Sequence, residues 1–117
     1  MLDIREEQLS VNVNDKVEEG IIDIFKAGNT VQLPVIDDNM HVIGIVDIYD
    51  VIANMGKPIE DIMIGDVEVA GKDKGVFSFK NYRQDILPIV DADKKLKGFV
   101  NKNISKVYLP NREYMRV

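Results

Sequence analysis

Apolar runs alternate with short acidic turns along this chain, and the most complete such stretch spans residues 33–51. There an apolar run, an acidic turn, a second apolar run containing Gly-Ile-Val and a short mixed tail follow one another. The same order returns in residues 86–104. One and the same offset in the numbering joins Pro34 to Pro88, Asp37 to Asp91 and Gly44 to Gly98. Such a constant register predicts an internal duplication.

The first copy has the pattern of a β-α-β-β-α unit. Residues 9–13 alternate between apolar and polar, as half-buried strands do. A helix is expected to begin at Asp15, which forms a capping-box pattern with Glu18, and to end at Gly28. The remaining predicted elements are a strand at 31–36, a turn at 37–39, a strand at 41–46 and a helix at 48–55.

The second copy departs from the first. Its first strand is expected at Val67-Glu68-Val69, the counterpart of residues 11–13, at an offset that implies two fewer residues before the hairpin than in the first copy. Residues 70–85 have no clean helical stripe, so a shortened or distorted helix is expected there. The later predicted elements are strands at 86–90 and 96–100 and a last helix at 103–108, limited by Pro110.

At 117 residues the two copies are expected to share one core. The predicted fold class is α+β, with two tandem β-α-β-β-α repeats. The predicted divisions are a lead-in at 1–8, repeat 1 at 9–56, a linker at 57–65, repeat 2 at 66–109 and a tail at 110–117 that leads to a further domain.

Composition narrows the function classes. The formal net charge of −5 argues against nucleic-acid and anionic-membrane binding by this chain. No apolar run approaches the ~18 residues of a membrane span. The acidic N-terminus does not resemble a secretory signal, and the chain has no cysteine, so a soluble cytoplasmic protein is predicted.

The two copies, with their LPVID hairpin, GIVDIYD tail and Asp61-Ile62-Met63 lead-in, resemble a tandem pair of CBS domains. The resemblance covers residues 9–109. It implies two repeats packed sheet to sheet in one compact module, which often forms a homodimer. It also implies a regulatory, non-enzymatic module whose clefts bind adenosine-containing ligands such as AMP, ADP, ATP or S-adenosylmethionine.

The ligand motif of that family has a glycine, two apolar residues, a hydroxyl residue, two variable residues and an aspartate, and it matches residues 44–50. Asp50 matches the aspartate that accepts the ribose hydroxyls. Asp47 replaces the hydroxyl residue, and its charge opposes a phosphate unless a cation intervenes. In the second copy Ile104 replaces the aspartate, so at most one cleft is expected to bind a nucleoside.

By the same resemblance, the other walls of the Asp50 cleft come from the second copy and its lead-in, namely Ile64, Val67, Glu68, Asp85 and Ile86. A purely structural alternative is also open. Asp47 fits an N-cap of the helix that starts at Ile48, and Asp50 suits the first turn of that helix.

Other chemistry is poorly supported. Residues 71–75 lack the ending of a P-loop. The acidic turns lack the spaced ligands of a calcium loop, and His41 is the only histidine, so we predict no metal or catalytic site. The sequence favours a regulatory sensor that controls an attached effector domain, such as that of a transcriptional or signalling regulator. The alternative is a dimerisation module that has lost its ligand.

Overall fold

The computed structural model describes residues 9–71 and 84–101, together with the backbone of residues 106–108. Within these residues the strands form two sheets, one from each repeat, so the fold is α+β as predicted. The sheet of repeat 1 has the order β1-β2-β3, with β1 at Val11–Asn12, β2 at Gln32–Ile36 and β3 at Val42–Asp47. The sheet of repeat 2 has the order β4-β5-β6-β7, with β4 at Ala70–Gly71, β5 at Ile86–Val90, β6 at Leu96–Asn101 and β7 at Lys106–Tyr108. The described helices are α1 at Glu19–Gly28, α2 at Ile48–Ala53 and α3 at Ile59–Ile62.

The two central hairpins have the same register. β2 pairs antiparallel with β3, β5 pairs antiparallel with β6, and each partner pair of the first hairpin recurs in the second at the offset that joins Pro34 to Pro88. Both ladders shift register one residue before the turn, at Val35/Ile36 and at Ile89/Val90. The predicted duplication is therefore confirmed at the level of backbone pairing.

The first strand of the second sheet lies later than predicted. β4 pairs with β5 at Ala70↔Ile89, as β1 pairs with β2 at Val11↔Val35. Val35 and Ile89 are equivalent positions of the two hairpins, and the chain from Ala70 to Ile89 is five residues shorter than that from Val11 to Val35. Repeat 2 therefore has five fewer residues before its hairpin, and the predicted difference of two was wrong.

Residues 67–69 alternate between apolar and polar, as a strand does, but they do not join the sheet. The backbone of Glu68 pairs instead with the side chain of Gln84, whose Oε1 accepts the Glu68 N–H at 2.6 Å and whose Nε2 donates to the Glu68 carbonyl at 3.0 Å. This side chain takes the place of a neighbouring strand. The distorted helix predicted at 70–85 falls mostly outside the described residues.

The second sheet ends with a strand where a helix was predicted. Residues 106–108, assigned by the sequence to a helix over 103–108, form β7, whose Tyr108 pairs with Phe99 of β6. In repeat 1 the equivalent partner of Ile45 in β3 is Ile64, and the chain between them contains both α2 and α3. The connection from Phe99 to Tyr108 is too short for two helices, and the Lys-Val-Tyr sequence favours an extended chain.

Helix α1 begins later than predicted. It starts at Glu19, and the N-cap residue Glu18 makes no side-chain cap hydrogen bond. Asp15 instead accepts the Asn12 N–H through Oδ2 at 3.0 Å, a local bond of the kind that competes with helix formation. The helix ends at Gly28 as predicted, followed by Asn29 in the left-handed conformation with φ 49°.

The two sheets pack on each other through a shared core. Ile86 of β5 and Phe99 of β6 are fully buried in the same apolar cluster as Phe25 of α1. At the hairpin tips the Leu96 N–H donates to the Met40 carbonyl at 2.9 Å. The predicted sheet-to-sheet packing is thus confirmed. None of the helices in the described ranges is long and apolar enough to span a membrane.

Candidate functional site

Asp47 stands where β3 ends and α2 begins. Its backbone is extended, and its Oδ1 accepts the Tyr49 N–H at 2.8 Å, so it is the N-cap of α2. The Ile48 N–H donates to the Val31 carbonyl at 2.9 Å, which fixes the start of the helix against the lead into β2. The structural role that the sequence allows for Asp47 is confirmed.

Asp50 lies in the first turn of α2. It comes three residues after Asp47, so the two residues are on the same side of the helix N-terminus. The Asp50 side chain is exposed. Its carbonyl accepts a bond from Asn54 Nδ2 at 2.7 Å, while its carboxylate has no hydrogen-bond or ion-pair partner in the part of the chain that the structure describes. This carboxylate is free to accept bonds from another molecule.

Four polar side chains are buried among the described residues, and we call them the inter-repeat seam: Thr30, Gln32, Gln84 and Asn101. Hydrogen bonds of the seam join the two repeats. Gln32 Oε1 accepts the Asp85 N–H at 2.6 Å, and Asn101 Nδ2 donates to Thr30 Oγ1 at 3.1 Å. Buried polar groups are tolerated because they are bonded in this way.

The seam brings several predicted site residues together. Gln32 Nε2 donates to Asp47 Oδ2 at 3.4 Å, so one side chain joins the α2 N-cap to Asp85 in repeat 2. Gln84 bonds both backbone groups of Glu68, and its Nε2 also donates to the Ile86 carbonyl at 3.0 Å. Thus Asp47, Asp85, Ile86 and Glu68 surround the seam.

Ile64 and Val67 are held by different contacts. The Ile64 N–H and carbonyl bond the carbonyl and N–H of Ile45 at 2.8 and 3.0 Å, so the chain after α3 runs along β3. This approach needs Gly44, because a Cβ there would lie 2.7 Å from the Ile64 carbonyl oxygen. Val67 is half-buried and packs on the main core. Both residues border the site through backbone position and packing.

The acidic hairpin turns do not belong to this site. The Asp37 carboxylate accepts the backbone N–H groups of His41 and Asn39, and these bonds lower its pKa. Asp91 accepts those of Lys95 and Asp93, with the same effect on its pKa. Across the described ranges, no group of three or more His, Cys, Asp or Glu residues could hold a metal ion.

The comparisons with known proteins agree with the repeated fold. Residues 3–57 match the family model of the CBS domain. Among curated proteins, none matches this chain.

Solved structures extend the match to both repeats. One is the pair of CBS domains of a transcriptional regulator from Streptococcus pneumoniae, with TM-score 0.64 and 19% identity over 80% of this chain and 82% of that one. Another is CBSX2, a CBS-pair protein from Arabidopsis thaliana, in complex with AMP, with TM-score 0.60 and 25% identity over 80% of each chain. The fold of this chain is that of a tandem CBS pair. It also resembles the cytosolic domain of the Mg²⁺ channel MgtE in complex with ATP, with TM-score 0.66 and 21% identity over 83% of this chain and 42% of that one.

The two repeats differ at the inter-repeat seam. The pair Gln32↔Asp47 in repeat 1 corresponds to Ile86↔Asn101 in repeat 2, so the carboxylate at the helix start is present in one copy and replaced by an amide in the other. Ile104, predicted to remove ribose binding from the second cleft, lies outside the described residues.

Sequence reasoning missed the four residues of the inter-repeat seam. A signal was present for two of them, because Gln32 interrupts the apolar run of residues 31–36 and Gln84 precedes the second hairpin at the position of Thr30 in the first. A single buried glutamine in a strand marks a specific partner, since an unbonded carboxamide is costly to bury.

Proposed function

We propose that this CBS module is a regulatory sensor that binds an adenosine-containing ligand in the cleft between its repeats. The observation that carries the proposal is the Asp50 carboxylate, which is exposed and unbonded within the described residues at the start of α2. Gln32 links the N-cap of this helix to Asp85 of the second repeat, and Gln84, next to Asp85 in sequence, bonds Glu68 and Ile86. A carboxylate there can accept the two hydroxyls of a ribose.

The ligand class follows from charge. Asp47 holds a negative charge at the helix N-terminus, where a phosphate would otherwise be favoured. The proposed cleft therefore recognises the adenosine part more strongly than the phosphates. CBSX2 with AMP and MgtE with ATP support adenosine nucleotides as candidates, and S-adenosylmethionine is a candidate without phosphate.

The test is calorimetric titration of the protein with adenosine, AMP, ADP, ATP and S-adenosylmethionine. Asp50→Ala should weaken the binding of the best ligand by about 10- to 100-fold, because hydrogen bonds to a charged group are worth roughly 1.5–3 kcal/mol. Glu19→Ala is the matched control, since Glu19 is the acidic first-turn residue of α1. It should leave affinity unchanged. Binding of none of the five compounds would overturn the proposal.

A second candidate function is a dimerisation module without a ligand. It is favoured by the exposed apolar residues along α2 and just beyond it, because Tyr49 is 71% exposed, Ile52 55% and Met55 46%. The use of Asp47 as a helix cap also suits this candidate. A protein that binds no adenosine compound yet forms a concentration-dependent dimer would favour it over the sensor.

The proposed output of the sensor is control of an attached effector domain. A ligand that binds one packing of the repeats more tightly would shift the population towards it. We place the module in a cytoplasmic transcriptional or signalling regulator, a placement supported by its likeness to the CBS domains of a streptococcal transcriptional regulator. We assign it no catalytic role.

A further inference from the structure

Gln32 connects three segments of the chain through one side chain. It is 2% exposed, and its carboxamide reaches the N-cap of α2 and the entry to β5 at the same time. Neither partner is close in sequence, since Asp47 is 15 residues away and Asp85 is 53 residues away in the other repeat.

The chemistry of the two partners fixes the orientation of the carboxamide. The backbone N–H of Asp85 can only donate, so the amide oxygen must face it. An ionised Asp47 can only accept, so the amide nitrogen must face that side chain. An uncharged carboxamide fits this pair of partners because its oxygen accepts hydrogen bonds and its nitrogen donates them, on opposite sides of the group. Repeat 2 has Ile86 at the equivalent strand position, and an isoleucine side chain cannot form these two hydrogen bonds.

We propose that Gln32 is a positioning residue that couples the orientation of the Asp47 carboxylate to the position of Asp85 in the second repeat. The two oxygens of Asp47 are divided between the Tyr49 N–H and Gln32. If Asp47 turns away, the Gln32 amide nitrogen loses this acceptor, and the bond to Asp85 weakens. Two hydrogen bonds thus link the helix start to the other repeat.

This inference deepens the proposed sensor function, because it names the path by which an occupied cleft acts on the packing of the repeats. The link itself does not depend on a ligand. It can be tested in the unliganded protein, and the ligand is needed only for a final step.

The experiment measures amide hydrogen exchange of Asp85 by NMR in four proteins: the parent, Asp47→Asn, Gln32→Met and the double variant. In Asp47→Asn the new amide can place a donor against Gln32 Nε2, which favours rotation of the Gln32 carboxamide. We expect the Asp85 protection factor to fall about fivefold, the equivalent of one hydrogen bond. In the Gln32→Met background, Asp47→Asn should change it less than about twofold.

Asn101→Leu is the matched control, because it removes a different inter-repeat carboxamide bond, the one to Thr30 Oγ1. In that background Asp47→Asn should still lower the Asp85 protection factor about fivefold. An equal effect of Asp47→Asn with and without Gln32, or no effect in the parent, would overturn the proposal.

A second variant keeps the test valid if Gln32→Met does not fold. Gln32→Glu retains an acceptor for Asp85 but offers Asp47 a donor only when the new carboxyl is protonated. The protection factor of the Tyr49 amide in this variant should therefore rise severalfold as the pH is lowered from about 7 to 5, and stay level in the parent. Equal pH profiles in the two proteins would contradict the coupling.

AMP is the probe for the final step. Saturating AMP should change the Asp85 protection factor in the parent and leave it unchanged in whichever Gln32 variant folds. If AMP does not bind, the adenosine probe fails while the Asp47–Asp85 result still decides the role of Gln32. If AMP binds and acts on Asp85 equally without the Gln32 carboxamide, the proposed coupling is wrong while the sensor function stands.

Discussion

Gly44 and Gly20 show how differently two glycines act in this chain. A Cβ at Gly44 would lie 2.7 Å from the Ile64 carbonyl oxygen and 3.0 Å from Met63 Sδ. A Cβ at Gly20, in the first turn of α1, would meet nothing within 4 Å. The first glycine is therefore required by the close approach of the chain that borders the candidate cleft, and the second has no such steric role.

We predict that Gly44→Ala lowers the free energy of unfolding by about 1–3 kcal/mol, because the backbone after α3 must move away from β3. Gly20→Ala should raise it by roughly 0.5 kcal/mol, since alanine favours a helix and has room here. Urea denaturation of both variants measures the difference. Similar effects of the two substitutions would contradict the steric role of Gly44.

The turn carboxylates Asp37 and Asp91 provide a prediction on pH. Backbone N–H groups of His41 and Lys95, respectively, hold their pKa below the ordinary value. A carboxyl whose pKa is lowered on folding binds fewer protons in the folded state, so its stabilising contribution is present above about pH 4 and lost as the pH falls further.

Asp37→Asn and Asp91→Asn should each make the loss of stability between about pH 5 and 3 shallower than in the parent. Asp23→Asn is the control, because Asp23 is exposed on α1 and accepts no turn N–H bonds among the described residues. Thermal melts across this pH range measure the slopes. Parallel slopes for the parent and both turn variants would contradict the role of the turn bonds.

At the scale of elements, the sequence predicts the two hairpins well. Their strands are apolar, their turns carry an aspartate that bonds its own backbone two residues on, and the constant offset between the copies fixes both at once. It also predicts α2, because Asp47 is a good N-cap. These elements depend on local chemistry that a single sequence displays.

The elements that the sequence misplaces depend on distant partners. Residues 67–69 alternate like a strand, but the backbone of Glu68 is bonded by Gln84, 16 residues later. Residues 106–108 form β7 because they pair with the edge of β6. The sequence of this segment alone does not show that such an edge is available. Gln32 was absent from the predicted site for the same reason, because Asp47 and Asp85 come together around it only in the folded chain.

For the whole molecule, the exposed apolar residues of α2 predict association. If the module forms a homodimer through α2, Ile52→Lys should weaken it at least about tenfold, because burial of an isoleucine is worth about 1.5–3 kcal/mol. Met40→Lys is the control, since Met40 is an exposed apolar residue at a hairpin tip. Analytical ultracentrifugation over a range of concentrations measures the shift.

Equal dissociation constants for Ile52→Lys, Met40→Lys and the parent would contradict a dimer interface on α2. A parent that stays monomeric at all concentrations would contradict the homodimer itself. Either result would leave the proposed adenosine site unaffected, because that site is tested through Asp50.

The burial of Ile86 and Phe99 in the same cluster as Phe25 restricts how this module can move. Repeat 2 also has a small cluster of its own, formed by Leu87, Ile89 and Val100, but the main core is shared. The repeats therefore cannot swing apart about a hinge without opening this shared core to water. Motion between them is confined to small sliding of packed strands and to exchange of hydrogen bonds along the polar seam. A signal from the cleft would therefore reach the rest of the protein as a shear of fractions of an ångström to about two ångströms, not as the opening and closing of two lobes.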